Sequence, residues 1–402
     1  MTLRMTVLCH ETPFPPNHGG RADMWRRLIA MEKRGVEIQL ISWDYGELTA
    51  DRAASINNVV KNHQYIPLQR TLAFRAKHIL GLLRYPWFAC IRWPGPNLST
   101  ITQSVRDFSP DLIFLDGWHG ALLAFHLQKA LDLPIYYRSQ NIEHEYIRVQ
   151  YKHADTTRSR LVTFVAGLHL KTLEYQIMNR SAGVYDISMD DVAYWKAHGF
   201  HHVQYLPPLF PTDFDGETSS SSPNYDLVFL GNLNTPNNIS GVTWLIDKVM
   251  PIVWHDRPAT TLCIAGSNPN FQFLDYLGES DNVRLVLNPA DANKVLAQGR
   301  ISLNPVATAG GVQIKNIDNL MVGHPIITRS TGVIGLPYEV RECFAIADSA
   351  QEFALAILRM LSKPSSHFDW AMLASHFGAE RITIFLQDIE HKVLYNRSRH
   401  EP

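Results

Sequence analysis

The chain alternates short apolar runs, rich in β-branched residues, with longer segments in which apolar residues recur every three or four positions. Residues 23–34 have the longer, helical pattern and end at Gly35, as helices often do. In the first half the short runs are residues 5–9, 36–42, 112–115, 135–138, 184–187 and 203–206. Strands that alternate with helices in this way predict a parallel sheet with helices on both faces.

A segment rich in proline and serine interrupts the alternation and predicts a linker at residues 207–224. After it the pattern starts again, with a helix predicted at residues 239–253. Strands are predicted at residues 226–230, 261–265, 283–287, 301–304 and 325–328. We therefore predict an α/β fold with two doubly wound, Rossmann-like domains facing a central cleft. They would span residues 1–206 and 225–402, and the final helix could pack back on the first domain.

Length and composition agree with two ordinary globular domains and disfavour some classes of protein. The chain has 402 residues, 46% hydrophobic and 19% charged, with a formal net charge of −1. Because it has no overall basic charge, nucleic-acid binding is disfavoured. The 4 cysteines contain no C-x-x-C pair, so neither a zinc site nor a disulfide framework is predicted. The expected location is a reducing compartment, the cytoplasm.

Residues 308–325, TAGGVQIKNIDNLMVGHP, combine a glycine pair, a lysine and an acid at the start of a predicted helix. Free N–H groups and the helix dipole favour a phosphate or diphosphate at such a start. Lys315 would add a positive charge, and Asp318 on the same face could accept hydrogen bonds from a sugar hydroxyl. The predicted phosphate-binding residues are Gly310, Gly311, Val312 and Gln313. An ordinary helix whose start needs glycine is the alternative.

Three other loops at predicted strand ends carry glycine or asparagine. Gly19 and Gly20 end a proline-rich loop without the G-x-G-x-x-G pattern of a nicotinamide or flavin site. This loop can bring N–H groups close to an anion, or it can be a tight turn that needs glycine. In the second domain the candidates for phosphate or sugar contact are Gly231, Asn232, Asn234 and Gly266. A turn whose asparagines cap the next helix is the alternative there.

In the first domain, polar side chains follow two predicted strands. His119 lies just beyond residues 112–115, where an imidazole could contact a sugar hydroxyl or act near a reaction centre. The candidates for acceptor binding are Asn141, Glu143 and His144, just beyond residues 135–138. Capping of the next helix is the alternative for this group.

Residues 68–94 interleave basic and aromatic side chains and contain no acid. This composition suits an anionic membrane surface or a lipid diphosphate, whereas a packed amphipathic helix with a solvated basic face is the alternative. The apolar run at the N terminus is too short for a signal peptide. No run of about 18 apolar residues predicts a transmembrane helix.

Together these segments resemble the retaining GT-B glycosyltransferases of the glycosyltransferase 4 group, which use nucleotide sugars. GGVQIKNIDNLMVGHPIITRSTGVIGLP is similar to the donor-site segment of that group, a glycine-rich loop followed by Lys-x-x-Glu-Ala-Met-Ala-x-Gly-x-Pro. GNLNTPNNISGVTWLIDKVMPIV resembles the opening of its second domain, and PFPPNHGGRADMWRRLIAMEKRGVEIQLIS its N-terminal loop and helix. RSQNIEHEY resembles a His-Asn-Val-Glu-His segment of a branch that builds surface polysaccharides.

The resemblance includes three departures from the usual pattern. The glutamate that usually holds the nucleotide ribose aligns with Asp318, and the first motif glutamate aligns with Gly310. No Arg/Lys pair stands after Gly231, where many members of the group bind the donor diphosphate. Lys315 and backbone N–H groups would therefore carry more of the diphosphate binding.

The resemblance implies transfer of a sugar from a nucleotide donor to an acceptor hydroxyl, with retention and without a metal or other cofactor. It also implies His119, Lys315 and Asp318 as the catalytic group, and a glycan or lipid-linked acceptor in surface polysaccharide synthesis. Two alternatives stay open. One is another GT-B enzyme, such as a nucleotide-sugar epimerase; the other is a non-catalytic protein that binds nucleotide sugars.

Overall fold

A computed structural model of the chain describes residues 2–152, 154, 156–214, 223–269, 271–278, 281–308, 310–363 and 368–400, with residues 395–400 described by their backbone alone. The described residues form two compact units. The first unit takes those within 1–16, 20–209 and 379–402, and the second takes those within 17–19 and 210–378. Of the predicted linker, residues 215–222 lie outside the described residues.

The first unit contains a parallel sheet of seven strands in the order β3-β2-β1-β4-β5-β6-β7. These strands are β1 Arg4–Cys9, β2 Glu37–Asp44, β3 Asn62–Pro67, β4 Leu112–Asp116, β5 Ile135–Ser139, β6 Ser181–Asp186 and β7 Val203–Tyr205. Strand β4 is buried along its whole length, as a strand covered by helices on both faces must be.

The second unit contains a parallel sheet of six strands in the order β10-β9-β8-β11-β12-β13. Its strands are β8 Tyr225–Leu230, β9 Leu262–Gly266, β10 Val283–Leu287, β11 Gly299–Asn304, β12 Ile326–Thr328 and β13 Phe344–Ile346. The predicted fold of two doubly wound, Rossmann-like α/β domains is therefore confirmed. The edge strands β3 and β13 were not predicted, because the first is largely polar and the second has only 3 residues.

Helices connect the strands of both sheets. In the first half they are α1 Gly19–Glu32, α2 Ala50–Asn57, α3 Leu72–His78, α4 Trp87–Cys90, α5 Leu98–Phe108, α6 Ala121–Leu131, α7 Glu143–Lys152, α8 Thr157–Gly167, α9 Leu170–Arg180 and α10 Met189–Ala197. The others are α11 Pro236–Trp244, α12 Met250–Asp256, α13 Phe271–Leu277, α14 Ala292–Ala297, α15 Ile314–Val322, α16 Tyr338–Arg341, α17 Ala350–Ser362, α18 Trp370–Phe377 and α19 Glu380–His400. None of the described helices has the length and hydrophobicity needed to span a membrane.

The helix predicted at residues 239–253 divides into α11 and α12. A π-helical turn, Leu245–Val249, separates the two parts. Pro251, at the start of α12, has no N–H to donate, so the regular hydrogen-bond ladder is broken just before it.

The last helix, α19, belongs to the first unit. Ile382, Phe385 and Ile389 are buried in a core cluster that also includes residues of β1, β2 and β4. The Tyr185 hydroxyl of β6 donates a hydrogen bond to Asp388 at 2.5 Å. Full burial of a side chain of this size contributes about 1.5–3 kcal/mol, so these three residues fix the chain's end firmly to the first sheet.

Candidate active site

The order of the second sheet places a topological switch point between β8 and β11, because β9 and β10 lie on one side and β12 and β13 on the other. In sheets of this kind, ligands bind outside the carboxyl ends of the strands at that point. The second-domain residues predicted to bind the donor lie in the loops after β8 and β11, at the end of β9 and in the helix α15.

Lys315 lies in the first turn of α15, and its ammonium group is held by neutral partners. Its Nζ donates a hydrogen bond to Asn238 Oδ1 at 2.7 Å and lies 5.0 Å from the centre of the Phe229 ring. Burial lowers the pKa of Lys315 to about 7. Among the residues that the structure describes, no carboxylate pairs with this lysine. A half-buried lysine with only neutral partners is suited to pair with an incoming phosphate.

Asn238 links Lys315 to the loop after β8. Its Nδ2 donates to the carbonyl oxygen of Asn232 at 2.9 Å. The Asn232 side chain in turn accepts from the backbone N–H of Asn234 at 2.9 Å, which closes an Asx turn. The predicted residues Asn232 and Lys315 therefore share one hydrogen-bonded group, while Asn234 contributes a backbone donor and is exposed.

A second network of buried amides lies at the carboxyl ends of β11 and β12. Asn304 Nδ2 donates to Gln313 Oε1 and to Asn316 Oδ1, both at 3.0 Å. Asn316 donates to the Gly332 carbonyl at 2.7 Å, and Gln313 donates to the Thr331 carbonyl at 3.2 Å. These bonds fix the loop before α15, and sequence patterns did not identify Asn304 or Asn316.

The glycine pair lies in the loop before the helix, which corrects the prediction that it opens the helix. Helix α15 begins at Ile314, and Gln313 is its N-cap residue. Gly311 has φ +63°, a left-handed conformation that no helical residue adopts and that favours glycine. Because the Gln313 side chain bonds elsewhere, it does not cap the first-turn N–H groups of α15. Val312 is buried, and Asp318 is half-buried within α15.

Gly266 has a structural reason to be glycine. A Cβ placed there would lie 1.7 Å from the carbonyl oxygen of Gly231. A Cβ at Gly231 would lie 2.8 Å from Asn238 Nδ2. The backbone at Gly231 therefore leaves no room for a side chain at Gly266, while a side chain at Gly231 would displace Asn238 or Phe229.

In the first unit, His119 lies in a 3-10 turn, Trp118–Gly120, directly after β4. Its ring stacks on Trp118 with centroids 4.1 Å apart and on His10 with centroids 5.0 Å apart. Its Nδ1 is buried and has no hydrogen-bond partner among the described residues. Burial, followed by the charge of Arg92, lowers the pKa of His119 well below its usual range. The imidazole is therefore neutral at pH 7 and can donate or accept a hydrogen bond.

Buried ion pairs fix the end of β4, which precedes the turn that contains His119. Arg27 of α1 donates to Asp116, the last residue of β4, at 2.6 Å and to Asp23 at 2.9 Å. Arg27, Asp23 and Asp116 are 1–2% exposed. The sequence analysis missed this group, because its members lie far apart in the chain and only the structure brings them together.

Asn141, Glu143 and His144 form a cluster with Glu174, a buried residue of α9. The Glu174 carboxylate accepts from the backbone N–H groups of Glu143 and His144, each at 2.9 Å, and from His144 Nδ1 at 2.5 Å. Asn141 Nδ2 donates to Glu143 at 3.3 Å. Burial, with the nearby charge of Glu174, raises the pKa of Glu143 to about 7. The Glu174 carboxylate therefore caps the start of α7.

Two predictions in the first half of the chain need correction. Gly19 and Gly20 do not precede a helix but are the first two residues of α1. Arg92, counted among the basic residues of 68–94, is only 8% exposed and donates from Nε to the His10 carbonyl at 3.0 Å. A guanidinium in this position supports the loop after β1 and is not part of a solvated basic face.

Part of the sequence matches a family of known proteins. Residues 224–363 match the family described as glycosyl transferases group 1. The sequence is 23% identical over 388 residues to an uncharacterized 44.6 kDa protein in the cps region of Klebsiella pneumoniae, covering 94% of this chain and 96% of that protein.

Two solved structures share the fold. One is HepE of Anabaena in complex with UDP and glucose, with TM-score 0.63 and 13% identity, covering 97% of this chain and 99% of that one. The other is a TarM mutant of S. aureus in complex with fondaparinux, α-GlcNAc-glycerol and UDP, with TM-score 0.62 and 10% identity, covering 98% of this chain and 99% of that one. These two likenesses show that the chain has the same fold, and the match to the glycosyl transferase family concerns residues 224–363.

The family match covers the part of the second unit that contains Lys315 and its hydrogen-bond partner Asn238. It therefore includes the predicted donor-binding residues from Gly231 to Asp318. Within the described part of the chain, no group of three or more His, Cys, Asp or Glu side chains is placed to hold a metal ion. Reaction without a metal stays a prediction.

Proposed function

We propose that the protein transfers a hexosyl group from a nucleotide-sugar donor to an acceptor hydroxyl with retention of configuration. The observation that carries this proposal is Lys315, a half-buried lysine at the switch point of the family-matched unit, with no carboxylate partner among the described residues. A diphosphate leaving group develops negative charge as the sugar departs, and a fixed, desolvated cation stabilises that charge. The reaction as proposed uses no metal.

The donor-binding role extends to the residues around Lys315. N–H groups of residues 310–313 and of the first turn of α15 would bind the diphosphate, and Asp318 would accept hydrogen bonds from the ribose. Four residues are proposed to contact phosphate or sugar. They are Gly231, Asn232 and Asn234 in the loop after β8, and Gly266 at the end of β9. We assign Gly19 and Gly20 to the same group as N–H donors.

The first unit would handle the transferred sugar and the acceptor. His119 is proposed to contact the transferred sugar through a neutral imidazole, and Asn141, Glu143 and His144 to bind the acceptor. We propose a glycan or lipid-linked glycan of surface polysaccharide synthesis as the acceptor, and the cytoplasmic face of a membrane as the place of reaction. The relative in the Klebsiella cps region supports this role.

Nucleotide binding and turnover together test the proposal. Thermal-shift measurements would compare UDP, GDP and ADP with their sugar conjugates, using Lys315→Met as the negative control. A nucleotide at 100 times its Kd should stabilise the protein by about 2.7 kcal/mol. NMR of the product should then show a new glycosidic bond with the anomeric configuration of the donor. No shift with any nucleotide would overturn the proposal, and release of an epimerised sugar would identify an epimerase.

Asp318 offers a more specific test of ribose binding. Changing Asp318 to Glu restores the residue that the glycosyltransferase 4 pattern usually has, so nucleotide affinity should persist or rise. Changing Asp318 to Ala removes a charged acceptor, and the affinity should fall by roughly 1.5–3 kcal/mol. Calorimetry measures the affinity of the parent and of both variants for the ribonucleotide and for its 2′,3′-dideoxy analogue. Equal affinities for parent and Asp318→Ala would exclude a ribose contact.

A further inference from the structure

In two segments of the first unit, apolar side chains are exposed to solvent. In α3 and the following 3-10 turn, Ile79–Leu83, the exposed fractions are 82% for Leu72, 76% for Leu80 and 80% for Leu83. In α8 they are 63% for Leu161, 62% for Val162 and 55% for Phe164. Clusters of exposed apolar side chains on a folded protein mark sites of interaction.

The two segments are neighbours in the fold. Helix α4 packs against both the Ile79–Leu83 turn and α8, and α8 also packs against α7. The ring of Phe164 in α8 lies 6.4 Å from that of Tyr151 in α7, which is itself 43% exposed. The exposed apolar side chains therefore flank one short helix, and we call them together the α3/α8 patch.

The charge of the α3/α8 patch is of one sign. Neither residues 68–94 nor residues 156–167 contain Asp or Glu. The exposed cations of the two segments are Arg70, Arg75, Lys77, Arg84, Arg158 and Arg160. Because the whole chain has a net charge of −1, this local excess is not a property of the composition. Leucine and phenylalanine among arginine and lysine are typical of segments that lie in the headgroup region of an anionic bilayer.

The inner side of the first segment is already packed. Ala89, Cys90 and Ile91 are buried, and Phe74 and Tyr85 pack against the core. A packed helix with a solvated basic face would leave its outer side polar, yet Leu72, Leu80 and Leu83 are on it. A second copy of the chain meeting the same patch would bring six cations against six, which disfavours a symmetric dimer.

We propose that the α3/α8 patch docks the first unit on an anionic lipid surface, with the leucines and Phe164 inserted among the headgroups and the six cations above them. This inference deepens the proposed membrane location and rests on it. Insertion supplies affinity for any bilayer, whereas the cations supply the preference for acidic lipid and its sensitivity to salt.

Vesicle co-sedimentation of the full chain tests the docking surface. Binding should be strong with phosphatidylcholine vesicles containing about 30% phosphatidylglycerol, weak with phosphatidylcholine alone, and reduced by salt. Three variants should each weaken binding about tenfold or more. They are Leu80→Ser with Leu83→Ser, Leu161→Ser with Phe164→Ser, and Arg75→Gln with Lys77→Gln and Arg84→Gln.

The control removes two leucines of similar exposure outside the patch. Leu355 and Leu394 are 56% and 58% exposed, and their change to Ser should leave vesicle binding unaltered. Binding that is absent, indifferent to acidic lipid, or unchanged by the α8 variant would overturn the proposal. So would a dimer that Leu80→Ser with Leu83→Ser converts to monomer. UDP affinity, measured on the same samples, should stay at the parental value, so loss of nucleotide binding would report separately on the proposed function.

Discussion

Replacement of Lys315 by Met should weaken UDP binding about tenfold to a hundredfold at pH 7.5. A charged hydrogen bond contributes roughly 1.5–3 kcal/mol, and Met keeps the apolar contact with Phe229 while removing the ammonium group. Isothermal titration calorimetry measures the loss. Lys294→Met is the matched control, since this side chain is 83% exposed in the same unit. Equal affinities for Lys315→Met and the parent would remove Lys315 from the site.

The same lysine should make UDP binding depend on pH. The pKa of Lys315 is lowered from 10.5 to about 7 by burial, so the free protein holds it neutral above pH 7. A diphosphate favours the ammonium form and should raise that pKa, so binding above pH 7 takes up a proton. The affinity should therefore fall as pH rises from 7 to 9, by up to about tenfold per pH unit. The terminal phosphate, with a pKa of about 6, is already ionised there.

Two variants separate this effect from a general loss of stability at high pH. Lys315→Met should bind weakly with no such slope. Asn238→Asp should place a carboxylate beside Nζ, raise the pKa of the lysine and flatten the slope, while repelling the diphosphate. At pH 8, heats measured in buffers of different ionisation enthalpy should show proton uptake for the parent alone. A slope in Lys315→Met equal to that of the parent would contradict the assignment.

The parallel sheets of both units could be anticipated because buried parallel strands are continuous apolar runs, and periodicity identifies most of them directly. The loop before α15, the helix that contains Lys315, could be found for the same reason, since it follows such a run. The role of Asn238 could not be predicted, because its hydrogen bond with Lys315 joins residues 77 positions apart. In the sequence it is one of several asparagines near a helix start, where capping is the ordinary explanation.

The buried charges of the first unit show a further limit of sequence analysis. Arg27 lies in a helix whose pattern predicts only an amphipathic surface, yet it is 1% exposed and paired with Asp116, 89 positions away. Gly266 shows another limit. A glycine at a strand end suggested ligand contact, and the structure adds a steric reason for glycine in the approach of the Gly231 carbonyl, whether or not a ligand also binds there. Contacts between distant segments decide both cases, and no local pattern contains them.

Replacement of His119 by Ala should lower kcat about a hundredfold or more, equivalent to roughly 2.7 kcal/mol in the activation free energy. The ring is held by stacking on Trp118 and His10, and its Nδ1 is buried without a partner among the described residues. A buried nitrogen without a hydrogen-bond partner raises the free energy of the free protein, and a hydrogen bond with a sugar hydroxyl would remove that cost. UDP affinity should change less than twofold, because the proposed contact is with the sugar.

The chemistry expected of His119 is that of a neutral hydrogen-bonding group. Because the pKa of His119 lies well below its usual range, this residue should contribute no ionisation to the pH profile of kcat between pH 6 and 8. The parent and His119→Ala should therefore have profiles of the same shape in that range. His119→Asn, neutral and able to hydrogen-bond, should retain more activity than His119→Ala. His198→Ala is the matched control, since this exposed ring also stacks on an aromatic neighbour, Tyr194, at 4.0 Å. If His119→Ala keeps activity within about twofold of that control, the stacked ring supports the loop after β4 and does not touch the sugar.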